Sequence, residues 1–292
     1  MPERLTCWMR GGVVVLWGLG TMASATAVQI VDARGVTVVF AQTPQRIVSL
    51  LPSLTETVCE LGQCGKLVGV DRYSNYPLQV KKLPQMGGGL DPSLEAVVAL
   101  KPDVVLLATS SRASAQLEAL GLKVVALEPK THAEMRLTLQ QLGLLLDVPD
   151  ALRIWNAIDA AVAAAALSLP AAAKTSKVYF EVSPAPHGAG EASFLGETLA
   201  RLGVHNIVPA ALGPFPKLNP EFVVRANPDV VMTGVRSSVE MSQRPGWSSI
   251  RAIREKRVCT FTAQENDILV RAGPRLAQAA RLLAQCLGRH AP

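Results

Sequence analysis

The sequence predicts an α/β protein of two Rossmann-like lobes with parallel-rich sheets, joined by one long backbone helix. Three observations carry this. Short runs rich in Val, Ile and Leu alternate with segments of helical period. One Ala-rich stretch bounded by prolines lies near the middle of the chain. A unit of Glu, then Pro-Asp, then an apolar run occurs once on each side of that stretch. A length of 292 residues with 49% hydrophobic content also suits two packed lobes rather than one.

The elements follow in order. Residues 28–45 read as an N-terminal extension or hairpin, with Val/Ile/Thr-rich halves turning at Gly35. In residues 46–148, the N-terminal lobe, Arg46–Leu50, Leu67–Val70, Val104–Leu107 and Val124–Leu127 are expected strands. Helical spacing fills the gaps at Leu54–Leu61, Leu94–Leu100, Ala113–Leu120 and Ala133–Leu145. Strand–helix alternation of this kind implies a parallel sheet. Residues 149–169 are the connecting helix, with Leu152, Trp155, Ile158 and Val162 on one stripe. Proline suits a helix's first turn but not its interior, so Pro149 and Pro170 mark its ends. About 20 residues make a rod about 30 Å long. Residues 170–292 repeat the pattern as a C-terminal lobe. Its expected strands are Lys177–Val182, Val230–Thr233 and Arg257–Thr260; its helices are Phe194–Leu202, Pro220–Ala226 and Pro274–Leu287.

Residues 1–27 have a basic start, a short apolar run from Val13 to Leu19, and small residues at Ala25 and Ala27. This matches a secretory signal peptide and implies a periplasmic protein. The run is too short to span a bilayer, which needs about 20 apolar residues. No cysteine follows it at the place a lipid anchor needs. Export makes disulfides possible among Cys59, Cys64, Cys259 and Cys286. Four cysteines allow three pairings; the local pair Cys59–Cys64 is preferred, with Cys259–Cys286 beside it.

The mid-chain repeat is specific. Glu95 precedes Pro102-Asp103-Val104-Val105, and Glu221 precedes Pro228-Asp229-Val230-Val231 at the same spacing. A glutamate in a helix's first turn is favoured by the helix dipole, which accounts for each position singly. Its recurrence in both halves points to a second role.

Several functions are excluded or weak. The net charge of +6 comes without any Lys/Arg block, so nucleic acid has no footprint. Gly188–Ser193 resembles a dinucleotide fingerprint, but Ser193 replaces the third glycine and serves better as a helix cap. No nucleophile elbow is present, and His132, His187, His205 and His290 lack metal-ligand spacing. An enzyme is not expected; a periplasmic hydrolase is the remote alternative. No resident cofactor and no direct metal site are expected.

Read together, Arg46-Ile47-Val48-Ser49-Leu50, Pro52-Ser53-Leu54-Thr55-Glu56, Val68–Pro77, Ser93-Leu94-Glu95, Asn219-Pro220-Glu221 and Arg271-Ala272-Gly273-Pro274-Arg275 carry a resemblance. The chain resembles the helical-backbone class of periplasmic binding proteins, which serve cobalamin, ferric-siderophore and haem importers. The resemblance implies a ligand in the cleft between lobes, most simply cobalamin or another metal chelate, with siderophore or haem as the alternative. It implies that Tyr73 contacts the ligand ring and that Asp267, Ile268, Leu269, Val270 and Arg271 form a loop closing the far side. Phe215 and His187 are expected on the C-terminal wall, with Tyr76 and Ser53 completing the set. Tyr73, Tyr76 and Phe215 also suit simple loop anchoring, and Asp267 and Arg271 also suit pairing with each other. Glu95 and Glu221 are implied to dock on the two subunits of an ABC permease dimer served by its ATPase subunits. A monomer, not embedded in the membrane, is expected.

Overall fold

The computed structural model describes residues 1–3, 27–184, 186–241 and 243–290. The signal peptide expected over residues 1–27 falls almost wholly outside them. Strands β1 (Val28–Val31) and β2 (Thr37–Phe40) form an antiparallel hairpin. Its turn needs the left-handed backbone of Gly35 (φ 80°), and the Asp32 carboxylate accepts the Arg34 and Val36 N–H groups within it.

The N-terminal lobe runs β3 (Ile47–Ser49), α1 (Pro52–Glu60), β4 (Leu67–Val70), α2 (Leu94–Ala99), β5 (Val104–Leu107), α3 (Ser114–Ala119), β6 (Val124–Ala126) and α4 (His132–Leu145). Its four strands are all parallel, in the order β4-β3-β5-β6. After α5 (Leu152–Leu167) the chain enters the C-terminal lobe. There follow β7 (Lys177–Ser183), β8 (His187–Gly188), α6 (Phe194–Arg201), β9 (His205–Asn206), α7 (Pro220–Ala226) and β10 (Val230–Gly234). The lobe closes with α8 (Val235–Met241), α9 (Arg251–Arg254), β11 (Val258–Phe261), α10 (Ala263–Val270) and α11 (Leu276–Arg289). The order here is β11-β10-β7-β8, with β9 also on β7; only the β7–β8 pairing is antiparallel.

The strands read as continuous apolar runs because both faces are covered. Val104 and Leu106 face one core while Val105 and Leu107 face another. Val178 and Phe180 likewise separate from Tyr179. The first of these cores is shared by both lobes. It runs from Ile47 and Leu106 through Ile158 and Val162 of α5 to Phe180, Met232 and Leu283 of α11. Each such fully buried aliphatic contributes about 1.5–3 kcal/mol, so separating the lobes along this seam is costly. α5 is three residues shorter at its start and two at its end than the stretch 149–169: Arg153 and Ile154 donate to the carbonyls of Asp150 and Ala151 at the start, and Leu169 to that of Ala166 at the end, in tight three-residue turns.

The Pro-Asp repeat has a structural cause. Asp103 accepts the backbone N–H groups of Gln45 and Arg46 ahead of β3, and Asp229 accepts that of Lys177 at the start of β7. Two residues earlier, Lys101 (φ 45°) and Asn227 (φ 48°) both take the left-handed conformation that ends the preceding helix. Each unit is thus a helix, a left-handed stop, and an aspartate that ties one parallel strand to its neighbour.

The cysteines are joined as Cys59–Cys64, tying the last turn of α1 to the turn that follows it, and Cys259–Cys286, tying β11 to α11. Among the described residues no helix is long and apolar enough to cross a membrane.

Candidate ligand cleft and docking residues

In an open parallel sheet the loops at the carboxyl ends of the strands form the crevice where ligands bind. Here those loops come from both lobes and meet around a cavity of ≈ 180 Å³. Leu51, Pro52 and Ser53 line it after β3, Glu128 to Lys130 after β6, Phe194 and Phe215 from the C-terminal lobe, and Val270 to Ala272 after α10. A second hollow of ≈ 410 Å³ lies at the ends of β7, β10 and β11, with Ser183, Arg236, Asn266 and Asp267 on its wall. The final turns of α10 separate the two. A larger hollow, ≈ 520 Å³, lies between the β1–β2 turn and α4 and shares only Glu128, Pro129 and Lys130 with the interlobe cavity.

Beside the cavity the lobes are joined by a charged network. The Glu56 carboxylate of α1, 2% exposed, accepts Nε and Nη2 of Arg275 at 2.8 and 2.6 Å. It also accepts Nη1 of Arg271 at 2.8 Å. Arg271 in turn donates to Asn75 Oδ1 (2.9 Å) and to the Tyr73 carbonyl (3.0 Å), and pairs with Asp267 at 3.0 Å. Asn75 donates to Asp267 at 2.8 Å, and the Arg275 guanidinium lies 4.4 Å from the centre of the Tyr76 ring. Removing one member of a buried pair strands its partner and costs about 3–5 kcal/mol.

Under the Tyr73–Tyr76 loop a chain of hydroxyls runs from Ser49 through Thr55 and Ser74 to Asp71. Asp71 also accepts the Tyr73 N–H. Burial pushes the Asp71 carboxyl above the ordinary carboxylate range; the Ser74 hydroxyl, the Tyr73 N–H and the charge of Arg271 oppose it.

Against this geometry the expected contact residues divide. Ser53, Phe215, Val270 and Arg271 come together at the interlobe cavity, and Asp267 faces the neighbouring hollow. Phe215 is half-buried edge-on against Phe194, centroids 6.0 Å apart. Tyr73 is 61% exposed at the rim, and Tyr76 stands beside it. His187 lies farther along the C-terminal wall, its Nδ1 2.9 Å from the Ser183 hydroxyl.

One expectation is corrected. Residues 267–270 are not a loop but the last turn of α10, so successive side chains point around the helix instead of toward one face. Leu269 therefore has no exposed surface and packs into the shared core, and Ile268 packs against the same core. Asp267 and Arg271 do pair with each other, one of the two readings their spacing left open, and the Arg271 guanidinium is held as well by Glu56, Asn75 and the Tyr73 carbonyl.

Sequence reasoning passed over Glu56, Asn75 and Arg275 as site residues. The signal was present: Ser53 to Val58 is buried without interruption, and Glu56 is the one charge in that run. A buried carboxylate requires a cationic partner.

Glu95 and Glu221 are both exposed and occupy the second position of α2 and α7, behind the caps Ser93 and Asn219. Each helix leads into a parallel strand, β5 or β10, so it runs antiparallel to the sheet and begins at the cleft edge. The two carboxylates thus hold matching places, one per lobe.

The comparisons agree with this architecture. A model of the periplasmic binding protein family matches residues 47–265. An uncharacterized ABC transporter substrate-binding lipoprotein of Bacillus subtilis is 30% identical over 89% of this chain and 85% of its own. A vitamin B12-binding protein of Pectobacterium atrosepticum is 27% identical over 84% of this chain and 88% of its own. The crystal structure of a periplasmic heme-binding protein from Pseudomonas aeruginosa superposes with a TM-score of 0.71 at 27% identity, covering 85% of this chain and 94% of that one. With two parallel-rich lobes about one backbone helix and a family match over three quarters of its length, the chain belongs to the periplasmic binding proteins, the substrate-binding components of ABC importers.

Proposed function

We propose that this binding protein carries a corrinoid, cobalamin foremost, through the periplasm to its ABC permease, and that it performs no catalysis. The observation that carries the ligand choice is the occupancy of the cleft arginines. Arg271 and Arg275 are neutralised by Glu56 and Asp267 and buried to about nine-tenths, which leaves the exposed Lys130 as the one basic residue besides Arg271 on the wall of the interlobe cavity, a thin positive charge for a multiply anionic chelate. A corrinoid presents a broad ring edged with neutral amide arms. The ring suits Tyr73 and Phe215, and the amide N–H groups suit the Glu128 and Asp267 carboxylates. The vitamin B12-binding relatives support the same reading.

One observation favours haem as the second reading. With Nδ1 held by Ser183, the Nε2 atom of His187 is left to face a metal, the arrangement second-shell partners give to ligating histidines. Arg236, on the wall of the neighbouring hollow that Ser183 also lines, suits a propionate.

Docking is assigned to Glu95 and Glu221, each pairing with arginines on one subunit of the twofold permease. Carboxylate–guanidinium pairs fix orientation as well as charge. The carrier itself works as a monomer.

The test is colour. The purified mature protein is mixed separately with cyanocobalamin, hemin and a ferric hydroxamate, desalted, and its visible spectrum recorded. Retention of the cobalamin spectrum alone is expected; retention of hemin alone transfers the assignment to haem.

A further inference from the structure

We infer that Glu56 is the latch that sets the spacing of the two lobes and, through it, the position of Tyr73 at the ligand rim. The inference rests on the carrier reading and on Tyr73 as a ligand contact, not on which ligand is carried.

The geometry is one carboxylate against two arginines. Glu56 stands on α1 of the N-terminal lobe, whereas Arg271 and Arg275 stand on either side of the α10–α11 turn in the C-terminal lobe. Arg275 meets Glu56 through two parallel N–H···O bonds, the fork that resists rotation as well as separation. Arg271 takes the remaining capacity of Glu56 Oε1 and extends the contact outward to Asn75 and to the Tyr73 carbonyl. The loop that carries Tyr73 is therefore held from below by Asp71 of its own lobe and from across the cleft by Arg271. The turn lies against α1 at this point: a Cβ at Gly273 would be in van der Waals contact with Ser53 Cβ at 3.4 Å.

The consequence follows from the two supports. The shared apolar core holds the lobes along α5 and α11, on the side away from the cleft mouth, and it tolerates small rotations because apolar contact is not directional. The Glu56 contact is directional and lies beside the ligand cavity, so it decides the angle at which the rim closes. Without the charge of Glu56, Arg271 and Arg275 repel each other, Arg271 is left on Asp267 and Asn75 alone, and the Tyr73 loop that it holds relaxes with it. Tyr73 touches ligand; Glu56 positions it.

The experiment compares the mature protein with Glu56→Gln, which keeps side-chain shape, and with Glu56→Asp, which keeps charge but not reach. Spin labels at Lys82→Cys and Arg225→Cys, one on each lobe, report the interlobe distance. Cyanocobalamin release is followed by stopped-flow absorbance, and folding by circular dichroism. Both variants are expected to stay folded, with a broader interlobe distance distribution than the parent without ligand. They are expected to release cyanocobalamin about tenfold faster at an unchanged on-rate, as loss of a buried charge pair acts on dissociation. A role in stability alone would lower the melting temperature and leave distance and release rate as in the parent; that outcome overturns the latch. If the parent protein takes up no cyanocobalamin, the corrinoid reading fails by itself. The distance distributions then decide the latch, an unchanged distribution in Glu56→Gln overturning it.

Discussion

Asp103 and Asp229 do the same work in different lobes: each carboxylate, set just after a proline, accepts the backbone N–H groups that open the neighbouring parallel strand. Glu95 and Glu221, proposed above to dock, lie at the head of the helix that each aspartate follows. Two matched scaffolds thus present two matched anionic points.

The double change Glu95→Ala with Glu221→Ala is expected to leave folding and ligand affinity near normal and to depress uptake severely in vesicles holding the cognate permease. Each glutamate contributes only about 0.3–1 kcal/mol to its own helix. Complex formation should also become less salt-sensitive, because the charges that salt screens are gone. Normal uptake would return both residues to simple helix support.

Tyr73→Ala and Phe215→Ala are expected to weaken ligand binding in different ways. Tyr73 is exposed at the rim, so its loss should cost about 0.5–1.5 kcal/mol of affinity beyond the lost contact area, with the melting temperature unmoved. Phe215 packs edge-on against Phe194, so its truncation should lower both affinity and melting temperature. Titration calorimetry beside thermal melts separates the two.

His132 should make stability depend on pH. It lies at the start of α4, with Nε2 2.9 Å from the Thr198 hydroxyl of α6 and its ring against Trp155 of α5. Burial holds its pKa below the ordinary 6.5, aided by Arg201 and opposed by Glu197 and Asp159. The unfolded chain therefore takes up the proton first. Stability is present in full above pH 6.5 and falls as pH drops from there toward the lowered native value. Chemical denaturation between pH 5 and 7.5 should show this slope, and His132→Gln should remove part of it. His290, also held low by burial, supplies a background that the difference between the two proteins cancels.

The two disulfides should differ in worth. Chain-entropy arguments give about 3–4 kcal/mol for the loop closed by Cys259–Cys286, separated by 27 residues, and about 2 kcal/mol for Cys59–Cys64, separated by 5. Cys259→Ala with Cys286→Ala should be the more damaging pair in denaturant titrations.

Lys101→Asn should stabilise the protein by about 0.5–1 kcal/mol, because asparagine, which holds the equivalent place at 227, tolerates the left-handed backbone better than lysine. The midpoint of unfolding should rise with an unchanged denaturant slope.

How far the sequence reached follows from which interactions are local. Hydrophobic period, proline boundaries and the recurring Glu…Pro-Asp unit depend on residues a few positions apart, and they determined two parallel α/β lobes, the backbone helix and the matched helix heads bearing Glu95 and Glu221. The cleft was decided elsewhere. Arg271 and Glu56 are separated by 215 residues, and nothing in local spacing says that α1 and the α10–α11 turn meet. Only that meeting adds Glu56 to the local partner Asp267 and ties Arg271 across the two lobes. It was likewise the helical path of α10, set by the Thr262–Glu265 capping box and by packing against the sheet, that turned Leu269 into the core and Asp267 toward the cleft. Helix, turn and strand preferences are written residue by residue, whereas the partners of a buried charge are chosen by the closing of the whole chain.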